Sequence, residues 1–302
     1  MLLQQFKDLL ENLKGDFQYS DQIAPALQEL KQYQPNTIVE YQPVYMKKAL
    51  GQIKAVAAQE AFKKIVILSC LIENWDDFTP ANYSQSVLDQ YQIIFNRILS
   101  NCENSDGWGE QKLDVYWKEL AMARQLMFPA GAQISENYSG FSAKQGIHLN
   151  RLGTLSFLSF LAAHGGSKGY YQIHTYTPEL GRFNEQGWND CYVRLAQMMK
   201  VNPKVKGFFG ISWFYDPQLA DISPRLMYLQ SIPLQNGAKS FYMGKDETGN
   251  AISKSKSRLK LYEEGKYTPQ SYLLVWPREA LIAWADEYVK ANPGDEHKAV
   301  VN

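Results

Sequence analysis

The reading of the fold turns on two stretches, Tyr170-Tyr171-Gln172-Ile173-His174-Thr175-Tyr176 and Gly207-Phe208-Phe209-Gly210-Ile211-Ser212-Trp213-Phe214-Tyr215. Both are short and rich in aromatic and β-branched residues, and turn-forming residues flank them, which is the pattern of strands. Between them Gln186 to Lys200 has helical periodicity and runs out through Asn202-Pro203. Downstream, Ser223-Pro224 opens a helix that Gly237 closes, and Lys239 to Met243 reads as a strand. A helix ending at Gly265 leads to the strand Ser271 to Trp276, and Pro277 to Ala291 forms a last helix. Upstream, a helix is expected from about His148 to Ala163, ending at Gly165-Gly166. Four β segments separated by helices predict an α/β layer.

The region before this layer reads as helices. Leu2, Phe6, Leu9, Leu10 and Leu13 recur at helical spacing, and Ser20 caps a helix carrying Ile23, Leu27 and Leu30. One long helix is expected from about Val44 to Ile72, so apolar in its last turns that it should run through the core. Thr79-Pro80 is read as a cap with an N1 proline, opening a helix with Val87, Tyr91, Ile94 and Leu99 that ends at the turn Asp106-Gly107. Another helix is expected from about Gln111 to Met127. Phe128 to Gly146 then changes to Gly, Ala, Ser, Asn and Gln, the composition of a boundary or an active-site loop. The expected class is therefore α+β. A helical bundle would occupy residues 1–146, and an α/β domain with a mixed sheet residues 147–302.

Composition narrows the partners. The 302 residues are 45% hydrophobic, enough for a substantial core, and Lys+Arg and Asp+Glu balance at 31 each. No global field draws the chain to nucleic acid or an anionic surface, so an anionic ligand needs a local site. Cys70, Cys102 and Cys191 lie far apart with no C-x-x-C spacing, as expected of free thiols in a reducing compartment. The opening Met1 to Asp8 lacks a basic, then apolar, leader pattern, and Leu155 to Ala163 is too short for a bilayer span. A cytoplasmic protein without a membrane span is the expectation. His148, His164, His174 and His297 are scattered outside any zinc-binding spacing, so no metal is expected.

Three segments of the second half resemble the GNAT acyltransferase superfamily, which moves an acyl group from coenzyme A to an amine. Phe209 to Pro217 corresponds to a strand and its exit, Ser223-Pro224-Arg225-Leu226-Met227-Tyr228-Leu229 to a helix start, and Gly237-Ala238 to its end. Asn250-Ala251, Leu261-Tyr262-Glu263-Glu264-Gly265-Lys266-Tyr267 and Tyr272 to Trp276 are similar to the family's following helix and terminal strand. The resemblance covers about residues 170–276 and implies a GNAT-like domain that takes acyl coenzyme A, or an acyl carrier thioester, with a small-molecule amine acceptor.

On that resemblance Tyr262 would protonate the leaving thiolate, a role that suits a phenol; otherwise it packs a helix end. Gln172, His174 and Tyr176 would share one strand face, placing His174 as a base for the amine or as a satisfied structural histidine. Asp216, at the carboxyl end of a strand, is the second candidate base. Ser223 and Arg225 at a helix start would grip the cofactor anion, unless Arg225 pairs with Asp216 or Asp221. Asn250 and Lys254 join that set, Lys254 from the run Lys254, Lys256, Arg258 and Lys260, which otherwise reads as a solvated charged face. Trp75, Trp108 and Trp117 are candidates to line an acceptor cleft.

Gln218-Leu219-Ala220-Asp221-Ile222-Ser223-Pro224 contains no glycine to let amides approach a phosphate, which favours an alternative. That alternative is a non-catalytic small-molecule binding or regulatory protein with a degenerate GNAT-like fold. A helical enzyme using the Phe128 to Gly146 segment is a third reading. The oligomeric state is not legible.

Overall fold

A computed structural model describes residues 1–15, 17–31, 38, 41–105, 107–142, 151–246 and 248–293. His148, His297, Asp106 and the end of the Phe128 to Gly146 segment lie outside them. The architecture is α+β: among the described residues six α-helices precede a mixed, six-stranded sheet.

The helical region comprises α1 (Leu2–Gly15), α2 (Ser20–Lys31), α3 (Val44–Gln52), α4 (Val56–Glu73), α5 (Gln85–Glu103) and α6 (Leu113–Ala123). The expected Val44 to Ile72 helix is two helices, because the chain is extended at Ile53 (ψ 110°) and Ala55 (ψ 124°). Gln59 stabilises the break by donating to the carbonyls of Leu50 and Ile53, which α3 leaves open at its C-terminus. Phe62, Leu71 and every residue from Ile65 to Leu68 on α4 are buried, as the apolar run predicts. Thr79-Pro80 lies in a turn, and α5 starts only after Ser84.

Helix α6 stops at Ala123 rather than reaching Met127. Leu126 N–H donates to Ala121 O and Gln125 N–H to Met122 O, the paired bonds of a Schellman stop, with Gln125 in the left-handed position (φ 60°) that glycine usually fills. Of the three tryptophans expected around a cleft, two belong to the packed interior and Trp75 is partly buried against it. Trp108 and Trp117 are buried, and Trp75 meets Phe6, Phe78 and Phe95.

Phe128 to Gly140 is not a loop. It forms a hairpin of β1 (Met127–Pro129) and β2 (Gln133–Gly140), whose strands join the sheet ahead of the expected boundary at 146. The chain continues through α7 (Arg151–Ala163), β3 (Lys168–Thr175), α8 (Glu185–Val201), β4 (Gly207–Ser212), α9 (Leu219–Ile222), α10 (Tyr228–Gln235), β5 (Lys239–Lys245), α11 (Asn250–Ser253), α12 (Lys256–Glu263), β6 (Gln270–Pro277) and α13 (Arg278–Ala291). The strand order is β1-β2-β3-β4-β6-β5, and every neighbouring pair is antiparallel except β3 and β4.

Strand alternation sorts the sheet into two apolar faces. Tyr170, Phe209, Phe241, Leu273 and Val275 pack under Phe157 and Phe160 of α7. Tyr171, Phe208, Leu274 and Trp276 face α8 and α13, where Tyr192 meets Phe208 and Trp276, and Trp276 meets Trp284. The second face is continuous with the helical region in one core. Among the described residues no helix is long and apolar enough to cross a membrane.

Candidate active site at the parted strands

A parallel pair of strands needs a crossover, and here α8 supplies it between β3 and β4. The ladder between these strands has only two rungs, Tyr171 with Phe208 and Gln172 with Phe209. Beyond them β3 continues through Thr175 paired with β2, and β4 continues through Ser212 paired with β6. Each strand keeps its outer partner while the two part from each other at their carboxyl ends. This makes a notch in the sheet, at the edge where open α/β layers gather ligands.

Local sequence explains the opening. A Cβ on Gly210 would lie 2.7 Å from Tyr215 Oη and 3.1 Å from Ile173 Cγ1, so the glycine admits the Tyr215 ring between the strands on the α8 side. Ser212 Oγ accepts the Phe214 N–H at 3.1 Å, turning the chain out of β4 into the 3-10 turn Trp213–Tyr215. Phe183, after β3, meets Phe214, after β4, at 5.2 Å between ring centres. The two strand exits are thus bridged by aromatic packing, not by backbone bonds.

On the α7 side the wall of the notch is polar. His174 Nε2 lies 2.8 Å from Glu136 Oε1 of β2, and the Tyr41 ring stands edge-on to the imidazole. Ser139 Oγ donates to Gln172 Oε1 at 2.8 Å. Across the gap Ile211, on the same face as Phe209, is 41% exposed. With Nε2–H donated to Glu136, Nδ1 holds the lone pair that can take a proton. Gln172 and His174 share a strand face with Glu136 opposite, but Tyr176 does not join them: it lies past the end of β3, buried, its Oη donating to Glu119.

The α8 N-terminus opens at the same edge. Asn184 caps it by accepting the Gly187 N–H at 2.9 Å, while Glu185 in the first turn brings a negative charge. Arg182, just before it, donates to Gln90 Oε1 and pairs with Glu179.

The other sequence candidates cluster beyond β4. Asp216 is fully buried; its carboxylate accepts from the N–H of Gln218, the Gln218 amide and the N–H of Gln270, clamping the exit of β4 to the start of β6. Burial raises its carboxyl above the usual range, and these bonds pull it back. Ser223 precedes a helical run that opens as the 3-10 turn Pro224–Leu226 and passes through Met227 into α10. Arg225 is exposed, and Ser223 Oγ accepts from Arg258 Nη1 at 3.2 Å. Asn250 and Lys254, at the two ends of the short α11, are exposed.

Arg258 departs from the solvated run expected of it. Its guanidinium is buried 4.6 Å from the Trp213 ring centre and donates to Ala251 O, docking α12 on the segment after β4. Tyr262, one turn further along that helix, is 47% exposed.

Topology thus gathers the candidates at one sheet edge, but His174 with Glu136 and the group around Arg258 form separate clusters. Glu136 was hidden because Gln-Ile-Ser-Glu-Asn-Tyr-Ser-Gly reads locally as loop composition, and only its pairing with β3 makes it a strand. No family model matches the chain, and neither a curated protein nor a solved structure matches it significantly.

Proposed function

We propose that this protein is a GNAT-like acyltransferase that moves an acyl group from a coenzyme A or carrier thioester to a small amine. The observation that carries the reading is the parting of β3 and β4 after two rungs, with a histidine–carboxylate pair on the notch wall. An amide-bearing pantetheine arm can occupy such a gap as an added strand would, bonding to backbone groups that the parted ladder leaves facing one another.

The amine nitrogen attacks the thioester carbonyl carbon, forming the C–N bond as the C–S bond breaks. His174 Nδ1 takes the proton lost by the amine, and Glu136 stabilises the imidazolium that results. Tyr262 is the proposed donor to the departing thiolate, and the α8 N-terminus is a better placed anion contact than Ser223 or Arg225.

The second reading, a binding or regulatory protein without transfer chemistry, is favoured by Glu185 at that N-terminus and by the glycine-free segment after β4. Thermal unfolding in the presence of coenzyme A and acetyl coenzyme A separates them. A saturable rise in melting temperature is expected, together with amine-dependent release of thiol that His174→Gln lowers by about a hundredfold. No rise at millimolar ligand removes the transferase reading. A rise without thiol release supports the binding protein.

A further inference from the structure

Past the end of β4, Arg258 is a buried charge with no opposite charge to meet it. The side chain is 6% exposed; it donates from Nε to Ala251 O and from Nη1 to Ser223 Oγ at 3.2 Å, and it lies 4.6 Å from the Trp213 ring centre. All three partners are neutral. Among the described residues no carboxylate pairs with Arg258 or with the exposed Arg225 beside it. Burial lowers Arg258 below the usual guanidinium range, with Tyr267 opposing that change and Arg225 adding to it. A guanidinium withdrawn from water without a counter-charge is costly, and an anion supplied from outside removes that cost.

The hydrogen-bond accounting points the same way. A guanidinium has five donors, and Nη2 of Arg258 has no partner among the described residues yet keeps contact with solvent. Ser223 Oγ accepts from Arg258, and its own hydrogen has no acceptor among them. The buried Tyr267 Oη lacks a partner as well. Donors are thus in surplus and acceptors are missing. Two guanidinium charges match a doubly charged ligand better than a carboxylate, and a tetrahedral group can accept from donors on separate segments.

We propose that Arg258, Arg225 and Ser223 form a binding site for a phosphate dianion, either inorganic phosphate or the phosphate of a small monoester. The site is separate from the notch, and the inference does not rest on the transferase reading.

The test is calorimetric titration of the full chain, in phosphate-free buffer at mildly alkaline pH and constant ionic strength, with inorganic phosphate, glycerol 3-phosphate and acetate. Both phosphate compounds are expected to bind saturably, and acetate at least about tenfold more weakly. Glycerol 3-phosphate binding more tightly assigns the site to monoesters; inorganic phosphate binding as tightly or more so assigns it to the free ion. Arg258→Gln is expected to weaken binding by at least about tenfold. Arg225→Glu, at an exposed position, is expected to keep the wild-type melting temperature and to lose phosphate binding. Absence of binding by both phosphate compounds at millimolar concentration overturns the proposal, as does binding that persists in the folded Arg225→Glu protein. Acetate binding as tightly as phosphate overturns the dianion class.

Discussion

His174 and Glu136 come from strands whose residues are far apart in sequence, yet their 2.8 Å contact depends on one register, Ile134 opposite His174 and Glu136 opposite Gln172. Tyr262 is the opposite case, a half-exposed residue near the end of α12. If it donates to the thiolate, Tyr262→Phe will lower turnover by about tenfold or more at unchanged coenzyme A affinity; an unchanged rate strips the residue of that role. The cysteines make a firmer residue-scale case. Cys70, Cys102 and Cys191 are buried, and burial pushes each thiol up to about 12. Native protein should therefore resist iodoacetamide at mildly alkaline pH, and all three thiols should react once urea unfolds it. Labelling of the native protein at any of the three would contradict their burial.

Elements were legible where local chemistry fixes them. The helical pattern over Gln186 to Lys200 is α8 almost to the residue, and the strand around Tyr170 is β3, whereas the strand from Gly207 ends at Ser212 and its expected last three residues, Trp213 to Tyr215, form a 3-10 turn. The reading missed where a distant partner decides. The hairpin of β1 and β2 lacks a strong alternating apolar pattern and exists because β3 offers it an edge. The stop of α6 at Gln125 uses a left-handed residue that no sequence rule assigns to glutamine. Gly207 shows how closely the sheet is drawn together at the start of β4. Its φ is 154°, and a Cβ there would lie 2.3 Å from Trp276 O. Gly207→Ala should destabilise by about 2–3 kcal/mol, read from urea unfolding, since both backbone strain and the clash act against it. A change within experimental error would mean that the β4–β6 contact is looser than described.

At the scale of the molecule, the helical region holds the strand that parts. Lys118 Nζ donates to Thr175 O at 2.8 Å, and Tyr176 Oη donates to the buried Glu119 at 2.6 Å, just past the end of β3. Arg97 reaches both Glu119 and Glu179. Burial raises the Glu119 carboxyl above its ordinary 4.5, with the bonds from Tyr176 and Trp108 opposing the rise. The native state then binds a proton that the unfolded chain has released. Stability should fall as pH rises from about 4.5 through the raised native value, because over that window the folded form holds more protons. Glu119→Gln should flatten this part of the pH profile of the urea midpoint, at a general cost of about 1–3 kcal/mol from the altered acceptor. An identical slope in both proteins would assign the pH dependence elsewhere.

The sequence alone determined the α+β class, the order of helices and strands from β3 onward, and the polar face of Gln172 and His174, because periodicity and turn residues act within a few positions. Tertiary structure decided the rest: the two strands added by the hairpin, the burial of Arg258, the clamp made by Asp216, and above all the two-rung ladder that opens between β3 and β4. Whether neighbouring strands stay together depends on side chains such as Tyr215 arriving from another segment, and one-dimensional patterns carry no distance between segments.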